Sequence, residues 1–151
     1  MLIVFPLGLL ATAVVFDILY VATANDDLAT FSYYATLAGV IGGLLAAVFG
    51  VLDWSKIPKD TRARRIGAVH GVGNVIVTGL FVLSLASRWG DHTYLPSVLP
   101  MVLGLVGALI ALFTAWLGGE LVYRLRVAVD DVAGLDASNS LAQEGAVEVK
   151  A

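Results

Sequence analysis

Four long apolar stretches constrain the fold of this chain more than any other feature. They predict helices at about 2–24, 33–52, 64–87 and 97–124. About 20 apolar residues in a helix cross the ~30 Å hydrocarbon core of a bilayer. Backbone amides in hydrocarbon must be paired internally, and none of the stretches alternates with the period of two of a membrane β-barrel strand. The pattern therefore predicts an all-α, integral membrane four-helix bundle over residues 1–127.

The composition fits a lipid environment and excludes several classes of protein. Hydrophobic residues make up 59% of the 151 positions, whereas soluble domains have about 45–50% apolar residues. The chain has no cysteine, which excludes disulfide frameworks and thiolate metal sites. Its net charge of −3 does not fit nucleic-acid binding. The lipid bilayer is the expected partner.

The distribution of basic residues predicts how the bundle is oriented. Four crossings place the amino terminus, the second connector and the carboxyl tail on one side of the membrane. That side carries eight of the nine basic residues: Lys56, Lys59, Arg62, Arg64, Arg65, Arg124, Arg126 and Lys150. The opposite side carries only Arg88. The positive-inside rule therefore predicts that both termini are cytoplasmic.

The two ends of the chain raise separate questions. Residues 128–151 are acidic and rich in small residues, which predicts a disordered cytoplasmic tail. At the other end, Ala22-Thr23-Ala24 resembles a signal-peptidase site, so cleavage of the first helix is a competing interpretation. The absence of a basic residue before the apolar run, and the length of that run, favour a retained helix.

His70 is the leading candidate for a functional side chain because ionisable groups inside a membrane are costly. Three- and four-residue spacing places Gly67, His70, Gly71, Asn74 and Thr78 on one face of the third helix. We predict that this polar face points into the bundle. His70 and Asn74 are candidate cofactor-binding residues, and haem b is the cofactor that this hypothesis suggests.

Charged residues are expected around His70 at the cytoplasmic mouth of the bundle. The predicted cluster consists of Asp53, Arg62, Arg64, Arg65, His70 and Glu120. One interpretation is a collar of ion pairs that holds the helix ends in register. The other is a site for an anion, a proton or a cofactor, with His70 titrating near neutral pH.

Asp17 lies apart from this cluster, toward the outer half of the first helix. Arg88 is the only basic residue on that side, so Asp17 is expected to be protonated, water-exposed or hydrogen-bonded to serine or threonine. A structural hydrogen bond is favoured over a proton relay. His92, beside Asp91 in the outer loop, is expected to be solvated, since no metal-ligand spacing surrounds it.

Small residues recur every four positions in two of the helices. The stripes are Gly39, Gly43 and Ala47 in the second helix, and Gly107, Ala111, Ala115 and Gly119 in the fourth. Such stripes let helix backbones approach closely in lipid. They predict tight packing within the bundle, with a homodimer as a further option.

Several segments together resemble a known family. They are Val4–Leu10 followed by Asp17, Gly39–Gly50 leading into Asp53-Trp54, Arg64-Arg65 with His70 and Asn74, and Gly118–Tyr123. These segments, spread over residues 1–127, resemble the bacterial predicted-membrane-protein family called domain of unknown function 2231. The resemblance implies a four-helix membrane domain of unassigned activity in a bacterial cytoplasmic (inner) membrane. Relatives are sometimes joined to Rieske-type iron–sulfur domains, which implies electron transfer near a membrane and a redox partner protein.

The chain departs from the family in one place that bears on haem. Members usually carry His-Pro just before the Phe-Pro segment, whereas this chain opens at Met1 within the apolar helix. Ligation by two histidines requires two facing imidazoles, and His70 is the only histidine in a predicted membrane helix.

Three functions are compatible with these features. The preferred hypothesis is a non-enzymatic structural or accessory membrane subunit, associated with a membrane redox chain, because the sequence contains no nucleophile–base pair, phosphate loop or metal spacing. The first alternative is a haem- or quinone-linked electron-transfer protein centred on His70. The second is a small proton or anion transporter, which four short helices without inverted repeats fit poorly.

Overall fold

The computed structural model describes residues 4–90 and 94–139, and within these ranges all regular structure is helical. The four helices are α1 (Val4–Thr23), α2 (Asp26–Lys56), α3 (Arg62–Ala86) and α4 (Val98–Gly119), and α4 continues into a π-helical turn, Glu120–Arg124. All four are long and apolar enough to cross a membrane. The predicted all-α membrane bundle is thereby confirmed. His92 and the last twelve residues of the predicted tail lie outside the described residues.

The second helix begins well before the predicted start near residue 33. The side chain of Asn25 caps it by accepting a hydrogen bond from the backbone N–H of Asp27 at 3.0 Å. Asp26 and Asp27 lie in the first turn, where carboxylates interact favourably with the positive end of the helix dipole. As a result, only Ala24 and Asn25 connect α1 to α2, and Ala24 adopts a left-handed conformation with φ of 54°. The two helices form a tight antiparallel hairpin.

The bundle consists of two helical hairpins that share one core. α1 packs chiefly on α2, and α3 packs chiefly on α4; α2 and α3 join the hairpins, with a smaller contact between α1 and α4. The core contains Leu10, Val40, Val77 and Phe81. Gly107 permits the close approach of α4 to α3, since a Cβ added there would lie 2.9 Å from the ring of Phe81. Small residues thus allow tight packing at the centre.

Two names describe the ends of the bundle below. The basic end comprises residues 53–65 and 120–126, where α2 ends, α3 begins and α4 ends. The Tyr94 end comprises residues 24–27, 87–90 and 94–97. Between them the outward surface is apolar on every helix, with side chains such as Phe5, Val48, Val75 and Leu112 largely exposed. This surface suits contact with lipid or with other apolar helices.

Candidate functional site

Asp17 and Arg88 form a buried ion pair near the Tyr94 end. Nη1 of Arg88 donates to Oδ1 of Asp17 at 3.0 Å, and Nη2 donates to Oδ2 at 2.5 Å. Nη1 also donates to Oγ of Ser32 at 3.2 Å. Asp17 is 5% exposed and Arg88 3% exposed. The fork-to-fork geometry is the strongest form of arginine–carboxylate pairing, and it joins α1, α2 and the end of α3.

Two contacts at the Tyr94 end involve Arg88 and the neighbours of its partner Ser32. Arg88 directly follows Ser87, the C-cap of α3, and its backbone N–H donates to the carbonyl of Leu85 at 3.1 Å. Tyr33, next to Ser32, stacks on Tyr94 with ring centroids 4.3 Å apart. These contacts link α2 and the segment before α4 at the Tyr94 end and fix the backbone of Arg88 at the end of α3.

Arg88 nevertheless retains one unsatisfied donor. Its Nε is buried without a hydrogen-bond partner. An unsatisfied buried donor loses its hydration without a compensating bond, which costs about 1–3 kcal/mol. The hydrogen bonds of the ion pair are therefore well aligned, but the cost of removing Arg88 from water offsets part of their stabilisation.

The sequence pattern did not predict this pair. It favoured a structural hydrogen bond from Asp17 to serine or threonine, with water exposure or protonation as alternatives. The structure corrects this assignment: Ser32 takes part, but it accepts from Arg88. The sequence did contain one indication of the pair. Asp17 and Arg88 are oppositely charged and are predicted to lie at the same end of the bundle. Two isolated ions of opposite sign in hydrocarbon pair because each otherwise stays uncompensated.

His70 lies in a second polar cluster, between α3 and α4. Its Nδ1 is 2.9 Å from the backbone carbonyl oxygen of Thr114. A carbonyl can only accept, so Nδ1 carries the proton. Nε2 of His70 is 3.0 Å from Nδ2 of Asn74 and accepts its hydrogen bond. Both ring nitrogens of the half-buried His70 are therefore bonded within the chain.

Asn74 and Thr114 complete the cluster. Oγ1 of Thr114 donates to Oδ1 of Asn74 at 3.2 Å, and Nδ2 of Asn74 also donates to the backbone carbonyl of His70 at 2.9 Å. This network assigns the orientation of the Asn74 amide, because the reverse orientation would set Oδ1 against two acceptors, Nε2 and the carbonyl oxygen of His70. His70 and Asn74, which their spacing places on one face of α3, contact each other, and Thr114 is a third member that the spacing on α3 could not reveal.

Two glycines make room for this cluster. A Cβ added to Gly73 would lie 2.5 Å from Cγ2 of Thr114, and one added to Gly118 would lie 3.3 Å from Cε1 of His70. Two other residues predicted on the His70 face, Gly67 and Thr78, face α2 instead. Gly67 lies against Trp54, and Thr78 lies near Gly43. The polar face of α3 is thus divided between its two neighbours.

The residues around His70 do not fit a haem. A haem-ligating histidine presents an unprotonated ring nitrogen to the iron and usually donates its other N–H to a carbonyl. His70 donates from Nδ1 as such a ligand does, but its Nε2 lone pair faces Nδ2 of Asn74. Its ring also lies against Gly118. Within residues 4–90 and 94–139, no group of three His, Cys, Asp or Glu side chains is placed to hold a metal ion.

At the basic end, one ion pair links α3 to the π-helical turn. Nη2 of Arg62 lies 2.7 Å from Oε1 of Glu120, and Nε of Arg124 lies 3.9 Å from Oε2 of the same carboxylate. The Glu120 side chain is 9% exposed, whereas that of Arg62 is 56% exposed. This arrangement supports the interpretation of Glu120 as part of a collar that joins helix ends.

Arg64 is held by α2 rather than by a carboxylate. Its guanidinium lies 4.2 Å from the centre of the Trp54 ring and donates to the backbone carbonyls of Trp54 at 3.3 Å and Ile57 at 2.7 Å. Nε1 of Trp54 in turn donates to the carbonyl of Arg64 at 3.0 Å. These reciprocal contacts fix the junction between α2 and α3.

The remaining two members of the predicted cluster lie elsewhere. Asp53 faces Lys56 at 3.4 Å on the outer surface of α2, and both side chains are exposed. Arg65 is exposed and lines a cavity on the outside of the α2–α3 junction. The six predicted residues therefore form separate groups rather than one site, because α2 and α3 turn these two side chains outward.

Four apolar helices with charged and polar side chains paired between them define a multi-pass α-helical membrane protein. The chain belongs to the family described as predicted membrane protein (DUF2231), whose model matches residues 1–131. This match confirms the family resemblance seen in the sequence. No curated protein and no solved structure gave a match.

Proposed function

We propose that this chain is a non-enzymatic membrane subunit that acts by binding a partner membrane protein. The observation that carries the proposal is the pairing of His70, whose two ring nitrogens are both bonded inside the chain. A group that transfers protons, binds a metal or attacks a substrate needs a free atom directed at its target. His70 offers none in this arrangement.

Asp17 supports the same proposal. Both of its carboxylate oxygens accept from Arg88, and the pair is buried. A carboxylate on a proton or anion path must change its protonation or its partner during each cycle. A bidentate arginine opposes both changes, so Asp17 suits a structural role better than a transport role.

The proposal includes a place for the protein in the cell. The basic end carries Lys56, Lys59, Arg62, Arg64, Arg65, Arg124 and Arg126. A positive-inside arrangement places this end in the cytoplasm of a bacterium. The partner would then contact the lipid-facing helices, and a redox complex is one such partner.

Site-specific photo-crosslinking in native membranes tests the proposal. The crosslinking amino acid is placed at one exposed, lipid-facing position in each helix: Val15, Val48, Ile76 and Leu112. A bound partner gives a discrete protein adduct from one or two helices, while the other positions serve as controls and label only lipid. Recovery of a monomer with lipid adducts from all four positions would overturn the proposal.

A further inference from the structure

A cavity of about 620 Å³ opens on the outside of the α2–α3 junction. Its lining combines an aromatic ring, basic side chains and a small apolar residue: Trp54, Lys59, Asp60, Thr61, Arg64, Arg65 and Ala68. Three of these side chains are cationic and one is a carboxylate, so the cavity has a net positive charge. It adjoins the Arg64–Trp54 contact described above and is separate from the His70 cluster and the Asp17–Arg88 pair.

Two of the cations in the cavity lack a carboxylate partner. Among the described residues, no carboxylate lies within 4 Å of Lys59 or Arg65. By contrast, Lys56, Arg62 and Arg124 at the same end each pair with an acid. Arg64 is engaged with Trp54 and two backbone carbonyls. Lys59 and Arg65 are therefore the cations available to an anion.

Arg65 lies where the dipole of α3 disfavours a positive charge. The first turn of α3 contains Arg62, Arg64 and Arg65 and no acidic residue. Helix amino termini carry a partial positive charge, which disfavours cations and favours anions. A bound anion would relieve this repulsion, in addition to pairing with the side chains.

The surface next to the cavity is apolar in the direction of the membrane. Arg65, Ala68 and Val72 follow one another at three- and four-residue spacing and share a face of α3. Val69 is 54% exposed and Val72 62% exposed. The cavity is thus positively charged and adjoins an apolar surface of α3. This combination suits an amphiphile with an anionic headgroup better than a free ion.

We propose that this cavity binds the phosphate headgroup of an anionic phospholipid. Lys59 and Arg65 hold the phosphate, and the Trp54 ring lies at the level of the lipid interface, where tryptophan is enriched. One acyl chain follows Ala68 and Val72 along α3. Basic pockets between membrane helices recognise anionic headgroups by this combination of charge and apolar contact.

Paired charge-removing variants test the site in the purified full chain. Lys59→Gln/Arg65→Gln removes the two free cations of the cavity, whereas Lys56→Gln/Arg124→Gln removes two paired, exposed cations from the same end. Titration with short-chain phosphatidylglycerol in a zwitterionic detergent should show roughly 10- to 30-fold weaker binding by the first variant. The control should bind within about 2-fold of the parent chain, since exposed ion pairs contribute little.

Two further arms identify the ligand. Short-chain phosphatidylcholine and inorganic phosphate, at the concentrations used for phosphatidylglycerol, should neither bind nor compete. Competition by inorganic phosphate would show a soluble anion site and overturn the proposal. Equal loss of binding in both double variants would show unspecific surface attraction and would also overturn it.

A fluorescence measurement keeps the proposal testable if the variants fold poorly. Trp89→Phe/Trp116→Phe leaves Trp54 as the only tryptophan and alters no residue of the cavity. Brominated phosphatidylglycerol should quench Trp54 more strongly than brominated phosphatidylcholine at equal mole fraction. Equal quenching by the two lipids would overturn headgroup selection at this site.

Discussion

Asp17 and Arg88 are 71 positions apart in the chain, yet their side chains meet fork to fork inside the bundle. The contact connects the middle of the first hairpin to the end of α3. Because both groups are almost fully buried, neither can regain water without opening the Tyr94 end. The two charges can therefore neutralise each other only when the two hairpins are packed together.

Removing one member of this pair should destabilise the bundle strongly. Asp17→Asn leaves the Arg88 guanidinium buried without a counter-ion, which we expect to lower the free energy of unfolding by about 3 kcal/mol. The double variant Asp17→Leu/Arg88→Met removes both charges and should lose less than the single variant. Denaturation in mixed micelles measures both effects.

Asp27→Asn is the matched control for Asp17→Asn. Asp27 is an exposed acid in the first turn of α2, and its loss should lower the free energy of unfolding by less than about 1 kcal/mol. A loss of similar size from Asp17→Asn would mean that the Asp17–Arg88 pair is not formed in the membrane.

The cluster of His70, Asn74 and Thr114 should behave as one network. Asn74→Ala leaves Nε2 of His70 without its donor, whereas Oγ1 of Thr114 can still donate to the carbonyl oxygen of Ala111. We expect a loss of about 1–2 kcal/mol in unfolding free energy. His70→Ala should cost a similar amount. In a double-mutant cycle the two losses should be coupled by more than about 0.5 kcal/mol, as for residues in direct contact. Additive losses would contradict the observed hydrogen bonds.

Both ring nitrogens of His70 are hydrogen-bonded inside the chain, so we expect no haem ligation by His70, which spectroscopy can check. Haemin added to the purified protein should give the same difference spectrum in the parent chain and in His70→Ala, because Nε2 is bonded to Asn74. Asn74→Ala provides a sensitive second sample, since it frees Nε2 for ligation. A Soret band in the parent chain that disappears in His70→Ala would contradict this prediction.

Close helix contact should make Gly107 intolerant of substitution. Gly107→Ala places a Cβ 2.9 Å from the Phe81 ring, and overpacking of this kind costs about 1–3 kcal/mol. Gly79→Ala is the matched control in α3, since nothing lies within 4 Å of the added Cβ. That variant should be neutral or slightly stabilising because alanine favours helix. Thermal unfolding of both variants in one detergent decides the comparison.

The proposed orientation is testable by labelling, because the chain has no native cysteine. Lys56→Cys, at the basic end, should react with a membrane-impermeant maleimide only after the membrane is opened. Asp27→Cys, at the Tyr94 end, should react in intact cells whose outer membrane has been made permeable. The reverse pattern would contradict the positive-inside argument.

The sequence predicted the helices well because lipid makes apolar length the deciding factor. It failed at the start of α2, where Asp26 and Asp27 looked like a connector. The Asn25 cap and the helix dipole make acidic residues favourable in a first turn, and hydropathy does not register this effect. The predicted start of α2 was therefore too late, because its first turn is polar and hydropathy marks only the apolar part of a helix.

The polar interior was less predictable, because its contacts cross between helices. The His70–Asn74 contact follows from a separation of four residues within one helix. Thr114 and Arg88 could not be assigned in this way, since which helix faces which depends on the packing of the whole bundle. Asp53 was misassigned for the same reason. It does lie near the end of α2, as predicted, but its side chain is on the outer surface of that helix.

The two-residue link between α1 and α2 affects how the protein enters a membrane. Residues 4–55 contain no lysine or arginine, so in the proposed orientation the tip of this hairpin crosses the bilayer without moving a positive charge against the membrane potential. Because the link contains only two residues, we expect α1 and α2 to insert as one hairpin. Lys56, at the end of α2, would then stay on the side from which the hairpin enters.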